Sequence, residues 1–201
     1  MEKTTQNSYH THISSKHNAL ELKLDEVWRY RDLILLFTKR NFVVRYKQTI
    51  LGPAWILLNP LFSSIIYAIV FGGIAKIGTE GIPTILFYLC SNAVWLFFAT
   101  CVTTNARTFT ENANVFGKVY FPRLTMPISN MLSAGIHFCV QMLMVMGFLG
   151  FYLVQGAVHP NWAAWLLIPV VLLHLGMLGL GCGIIVSSLT TKYRDLAILV
   201  D

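Results

Sequence analysis

The sequence predicts an all-α polytopic membrane protein: an N-terminal amphipathic interface helix followed by four transmembrane helices. Three observations predict it. Asp, Glu, Lys and Arg are absent from 48–75, 81–106 and 124–191, stretches of 28, 26 and 68 residues. About 20 apolar residues cross a bilayer as a helix, so the third stretch holds two crossings and the others one each. Finally, 14 of the 15 Lys and Arg residues fall on one side of the resulting pattern.

Residues 1–19 are polar and His-containing, without the apolar centre of a signal peptide. They are expected to be a disordered tail, with the first span as the uncleaved insertion signal. Residues 20–50 form the interface helix. No Gly or Pro occurs from Leu20 to Gln48, and apolar Tyr30, Leu33, Ile34, Phe37, Val43 and Val44 are interleaved with charges. Trp28, Tyr30 and Tyr46 suit a headgroup region, and Trp28, Arg29, Tyr30, Arg31, Arg40 and Arg45 are the candidate interface residues. A basic amphipathic helix of this kind lies in the interface plane. A cytoplasmic helix packed on a partner is the other reading, and the two are compatible. Gly52-Pro53 ends the segment and turns the chain into the bilayer.

The transmembrane domain is expected over 54–188, with spans at about 54–75, 83–106, 126–154 and 162–188. The long uncharged stretch breaks at Gln155-Gly-Ala-Val-His-Pro-Asn161, its one polar, turn-forming segment. Nine basic residues precede span one, three lie between spans two and three (Arg107, Lys118, Arg123), and two follow span four (Lys192, Arg194). Lys76 alone lies on the other side. Cytoplasmic loops carry the Lys/Arg excess, which places the N-terminus and the segment 189–201 in the cytoplasm. The loops 76–82 and 155–161 then face outward. The net charge of +6 is concentrated in the N-terminal segment and the 107–123 loop. Anionic lipid headgroups account for it without a nucleic acid. Cys90, Cys101, Cys139 and Cys182 all fall inside spans, as small packing residues rather than disulfide or metal partners.

No span contains Asp, Glu, Lys or Arg. That argues against proton-driven pumps and ion-coupled carriers, which use buried ionisable relays. The uncharged polar residues are nonetheless ordered. Ser129, Ser133, His137 and Gln141 recur at steps of four, and so do Asn59, Ser63 and Tyr67. Each set lies on one helical face. Such faces either glue helices together or line a path for a hydroxyl-rich substrate. Gly179 and Gly183 form a small-residue spacing suited to close helix packing. Trp162 and Trp165 suit an aromatic belt. Trp95, Phe97 and Phe98 lie deeper and are candidates for a sugar-stacking surface, with Trp95 foremost because it follows Ser91 and Asn92 at helical spacing.

The coupling loop spans 107–125, with a short helix expected from Thr110 to Phe116, a stop at Gly117, and changes of direction at Pro122 and Pro127. Exposed aromatics mixed with charge suit a protein-docking surface. No nucleotide-binding motif is present, and there is no Ser–His–Asp set, metal cluster or carboxylate pair. If this chain moves something actively, the energy comes from another chain.

Tyr30-Arg-Asp-Leu33, Lys39-Arg40, Arg45-Tyr-Lys-Gln-Thr-Ile-Leu-Gly52, Trp55 and Asn59-Pro-Leu61 resemble the N-terminal signature of ABC-2 type permeases that export polysaccharides. Phe116-Gly-Lys-Val-Tyr-Phe-Pro-Arg123 is similar to that family's coupling region, and Tyr193-Arg-Asp195 to its motif after span four. The resemblance implies a permease for O-antigen, capsule or teichoic acid in the bacterial inner membrane. It implies a second copy of this chain, two copies of a separate nucleotide-binding ATPase, a lipid-linked polysaccharide and membrane lipids as partners. No cofactor is expected on this chain, with ATP and Mg on the ATPase. Glu111, Asn114, Val115, Phe116, Lys118, Tyr120, Phe121, Pro122 and Arg123 would receive the ATPase stroke. Family members have six spans, so the chain is expected to be a fragment or a short member lacking two of them. Three alternatives stand beside this reading: a drug or lipid exporter of the same architecture, a non-transporting scaffold, and a membrane enzyme acting on lipid-linked sugars.

Overall fold

The computed structural model describes residues 24–47 and 49–192. The expected tail 1–19, the first residues of the interface helix and the Tyr193-Arg-Asp195 motif lie outside the described residues. Within them the chain is helical. It runs through α1 (Leu24–Arg29), α2 (Arg31–Tyr46), α3 (Trp55–Tyr67), α4 (Thr84–Ala106), α5 (Thr108–Glu111), α6 (Ala113–Phe116), α7 (Thr125–Val154), α8 (Trp162–Trp165) and α9 (Ile168–Lys192). Four segments are long and apolar enough to cross a membrane: Gly52–Ile74, Thr84–Ala106, Thr125–Val154 and Trp162–Thr190. With no strand among the described residues, this is an all-α polytopic membrane protein.

The first span changes its winding along its length. A 3-10 turn at Gly52–Ala54 leads into α3, and Ala68–Ile74 continues it with a wider helix whose last bond runs from Ala75 N to Val70 O, 2.8 Å. Between α7 and α8, Gly156 takes φ +69°, a left-handed conformation that costs a glycine little. Its N–H reaches Leu153 O at 3.0 Å and the Ala157 N–H reaches Tyr152 O at 3.0 Å, which caps two of the last carbonyls of α7. The polar break read in the sequence is this cap and the turn that follows.

α4 is the centre of the bundle, packed by α3, α7 and α9. Ala93, Phe97 and Cys101 of α4 meet Ala134 and Phe138 of α7 in one buried cluster, and Leu86 and Leu89 meet Val145 and Leu149 in another. Phe97 is therefore core, 5.5 Å from Phe138 between ring centroids, which corrects its assignment to a sugar surface. The stripe Gly176, Gly179 and Gly183 of α9 lies against α4 and α7: a Cβ on Gly179 would stand 2.7 Å from Cys101 Cβ.

The N-terminal helix differs from its expectation in two respects. The chain breaks at Tyr30, whose N–H bonds both Glu26 O and Val27 O, so that α1 and α2 are separate. More importantly, α2 does not lie across the spans. Thr38, Asn41 and Tyr46 meet Ser129, Asn130 and His137 in that order, at 3.3, 2.9 and 3.0 Å. Both helices advance together by about 12 Å over those contacts. A helix lying flat in the interface would touch α7 at one turn only. The polar stripe of α2 finds its partners along α7, and that sets its direction. The loop corrects similarly: in place of one helix from Thr110 to Phe116 there are two short ones, hinged at Asn112.

Candidate functional site

The parallel course of α2 along α7 leaves a cleft between these helices and α4. Its wide part holds about 980 Å³ and is lined by Arg40, Asn41 and Arg45 of α2, Thr100, Thr103, Thr104 and Arg107 at the end of α4, and Asn130, Ser133 and His137 of α7. Glu111, Asn112, Asn114 and Val115 of the coupling loop close one side. A narrower part of about 420 Å³ adjoins it, lined by Tyr46, Trp55, Asn59, Leu96 and Gln141. Arg45, Thr100 and His137 border both parts.

Each wall has a reason in the sequence. Ser133, His137 and Gln141 lie at steps of four on α7, so they form a ladder facing α2. Thr100, Thr103, Thr104 and Arg107 do the same on α4 at steps of three and four. The threonines satisfy their hydroxyls locally, Thr104 Oγ1 donating to Thr100 O at 2.6 Å and Thr103 Oγ1 to Ala99 O at 2.9 Å. Such back-bonding lets hydroxyls sit in an apolar span without a distant partner.

His137 sits where the two parts join. Tyr46 Oη is 3.0 Å from its Nε2, and the Phe42 ring stacks on it at 5.8 Å. Burial holds the Tyr46 phenol above its ordinary range, against the pull of the neighbouring Arg45 guanidinium. The phenol thus stays protonated near neutral pH. Arg40 lies over the Phe37 ring at 4.9 Å and donates to Asn41 Oδ1 and Asn112 Oδ1, both at 3.4 Å. The wide part thus carries three guanidinium groups and the Glu111 carboxylate, and the narrow part shares Arg45 and is otherwise uncharged, mixing Thr49, Asn59 and Gln141 with Trp55, Ile56 and Leu96.

Of the substrate-path candidates, Asn59, Ser133, His137 and Gln141 line the cleft. Ser129 does not: it is fully buried, its hydroxyl donates to Met126 O at 2.7 Å, and its carbonyl accepts from Thr38 Oγ1. Ser63 donates to Asn59 O within α3, and Tyr67 joins Phe71 and Tyr88 in a ring cluster away from the cleft. Trp95 is 63% exposed, beside Phe98 on an open flank of α4. Asn92 instead turns inward to donate to Pro60 O at 3.3 Å, so the face that Trp95 was expected to share with it is divided.

The coupling residues divide too. Glu111, Asn114, Lys118, Tyr120 and Arg123 are exposed, while Val115, Phe116 and Pro122 are half-buried and Phe121 is buried. Rings link Phe109, Phe116, Phe121 and Phe37 at 5.7, 5.2 and 5.7 Å, which pins the loop to α2. Among the interface residues, Trp28, Arg29 and Arg31 face outward, Tyr30 packs beside Phe37, and Arg40 and Arg45 face the cleft. Sequence reasoning missed Asn41, Thr100, Thr103, Thr104, Arg107, Asn112 and Asn130. The spacing of the α4 set was the available signal.

Residues 32–200 match the ABC-2 type transporter family. An O-antigen export system permease protein RfbA of Klebsiella pneumoniae is 30% identical over 166 residues, 82% of this chain and 61% of its own. A protein of the same description from Myxococcus xanthus is 26% identical over 179 residues, 88% of this chain and 65% of its own. The chain thus spans somewhat less than two thirds of the length of these relatives. With most of its length, its four membrane-crossing helices included, inside that match, the chain belongs to the ABC-2 type transporter family.

Proposed function

We propose that this chain is the permease part of an ATP-driven exporter that carries a lipid-linked polysaccharide of the O-antigen kind across a bacterial inner membrane. Two copies form the path. Two copies of a separate nucleotide-binding ATPase, holding ATP and Mg, dock on the coupling loop. The names of the relatives support the cargo, and the uncharged spans support an external energy source.

The observation that carries the reading is the two-part chemistry of the cleft. Arg40, Arg45 and Arg107, with Glu111 beside them, line its wide part, and hydroxyls and amides line both parts together with Trp55 and Leu96 in the narrow one. Guanidinium groups bind phosphate oxygens through paired, charge-assisted hydrogen bonds. Neutral donors and acceptors suit sugars. A lipid-linked glycan presents both in sequence, a phosphate linkage and then a neutral polymer.

Export of surface polysaccharide by the full-length permease with its ATPase, in a strain lacking its own exporter, tests this. Losing a charge-assisted hydrogen bond costs about 1.5–3 kcal/mol, or about 10- to 100-fold in affinity. Arg45→Ala should therefore cut export at limiting cargo, and Arg45→Lys should recover part of it. Wild-type export by Arg45→Ala at matched expression would end the phosphate reading.

The 14-to-1 distribution of basic residues supports a cytoplasmic N-terminus. Lys76→Cys and His159→Cys should then react with an impermeant thiol reagent in intact cells. If both react only after lysis, the orientation is reversed.

A further inference from the structure

We infer that Asn130 is a junction through which movement of the coupling loop reaches α2, and with it the arginine-lined wall of the cleft, beside the direct contacts that Arg40 and Phe37 make with the loop. The inference rests on the exporter reading for the source of the stroke. It rests on the structure for the path.

One amide joins four elements. Asn130 belongs to α7, and its Oδ1 accepts from Asn41 Nδ2 of α2 at 2.9 Å. Its Nδ2 donates to Thr108 Oγ1 of α5 at 2.8 Å and to Asn105 Oδ1 of α4 at 3.2 Å. The loop reaches α2 a second time where Arg40 donates to Asn112 Oδ1, and Asn112 Nδ2 in turn donates to Thr108 O at 3.0 Å. A displacement of α5 or of the Asn112 hinge must therefore stretch these bonds or carry α2 along. Arg40 and Arg45 stand on α2, so carrying α2 moves them against the α4 wall of Thr100, Thr103 and Thr104.

A second observation bears on the junction. Asn105 Nδ2 is buried without a hydrogen-bond partner. An unpaired buried donor is costly, and orphans of this kind mark places where structure is held short of full satisfaction. Asn105 spends its oxygen on Asn130 and Thr108 and leaves its nitrogen idle. The inferred second arrangement is one in which the loop shifts relative to α4 and that nitrogen gains an acceptor as the present bonds break. Coupling needs two discrete arrangements of this sort.

The variants separate the arms. Asn130→Leu removes every bond of the Asn130 amide and leaves Arg40–Asn112 in place. Asn130→Asp is isosteric, keeps the acceptor for Asn41 and removes the donor to Thr108 and Asn105. Asn41→Leu cuts the α2 arm alone. Spin labels at Lys39→Cys on α2 and Ser188→Cys near the end of α9 would be followed in the full-length permease with its ATPase, without nucleotide and with trapped ATP. The wild-type pair should shift by about 1–2 Å or more, the scale of helix movements in switching proteins. Asn130→Asp and Asn130→Leu should at least halve the shift, the remainder passing through Arg40–Asn112 and Phe37–Phe121, while ATP hydrolysis stays within about twofold. Export should fall about tenfold in Asn130→Asp or Asn41→Leu, and no further in the double variant, because both cut one serial link. An undiminished shift in Asn130→Leu, a wild type without a shift, or additive losses in the double variant would each overturn the junction. If the shift depends on Asn130 but the wild type exports no polysaccharide, the cargo reading fails and the junction stands.

Discussion

Gly183→Leu is expected to disrupt the pairing of α9 with α4, at a cost of roughly 3 kcal/mol, the upper end for overpacked sites. A Cβ at Gly183 overlaps Asn105 Cβ and stands 3.0 Å from Val102 O, a backbone atom that cannot rotate away. At Gly179 the nearest atom is Cys101 Cβ at 2.7 Å, with Phe98 O at 3.4 Å. Gly176 is less constrained, because its nearest neighbour is the sulfur of Met131 at 3.0 Å, on a flexible side chain. Gly181 has nothing within 4 Å and supplies the control. The expected order of damage is Gly183→Leu, then Gly179→Ala, then Gly176→Ala, with Gly181→Ala near wild type. It would be read from thermal unfolding midpoints in mild detergent. Gly183→Leu has a second consequence, since Asn105 is a partner of Asn130. An unchanged midpoint for Gly183→Leu would show that α9 does not pack on α4 in the membrane as described.

The spans were legible because the bilayer is a demanding solvent. Charges are excluded from Gly52–Ile74, Thr84–Ala106, Thr125–Val154 and Trp162–Thr190, and that exclusion shows in the sequence before any packing is known. The ladder on α7 was legible as a face for a similar reason, because steps of four survive on any helix. What faces the ladder was not legible. Thr38, Asn41 and Tyr46 read as scattered polar positions in a charged helix, and only the bundle decides that they climb α7. Asn92 and Trp95 show the same limit. They are three residues apart on one helix, yet α3 buries Asn92 and leaves Trp95 on the open flank. The wall of Thr100, Thr103 and Thr104 went unseen because hydroxyls bonded to their own helix, as those of Thr103 and Thr104 are, look like ordinary span residues. Periodicity identifies faces, and the choice of partner for each face belongs to tertiary packing.

Phe121→Ala and Tyr120→Ala are expected to separate two properties of adjacent residues in the coupling loop. Phe121 is 5% exposed and packs on Phe37, Phe116 and Met126, whereas Tyr120 is 83% exposed. Truncating a buried Phe costs about 3–5 kcal/mol, somewhat less where the site can collapse. Here the loss falls on the attachment of the loop to α2, so Phe121→Ala should raise amide exchange through 107–123 and along the face of α2 that carries Phe37. The spans themselves should keep their exchange protection, because the Ala93 and Leu89 clusters lie elsewhere on α4. Tyr120→Ala removes no internal contact of that kind, and its exchange pattern should match wild type. Its effect should appear only with the partner present: an exposed aromatic beside exposed Lys118 and Arg123 suits an interface anchor. Loss of such an anchor typically costs 2 kcal/mol or more, or about 30-fold in affinity. Co-purification of the ATPase with the full-length permease should therefore fall in both variants, with loop exchange altered in Phe121→Ala alone. Should Tyr120→Ala retain the ATPase at wild-type stoichiometry and export normally, the docking surface lies elsewhere on the cytoplasmic face, and Tyr120 is exposed for another reason.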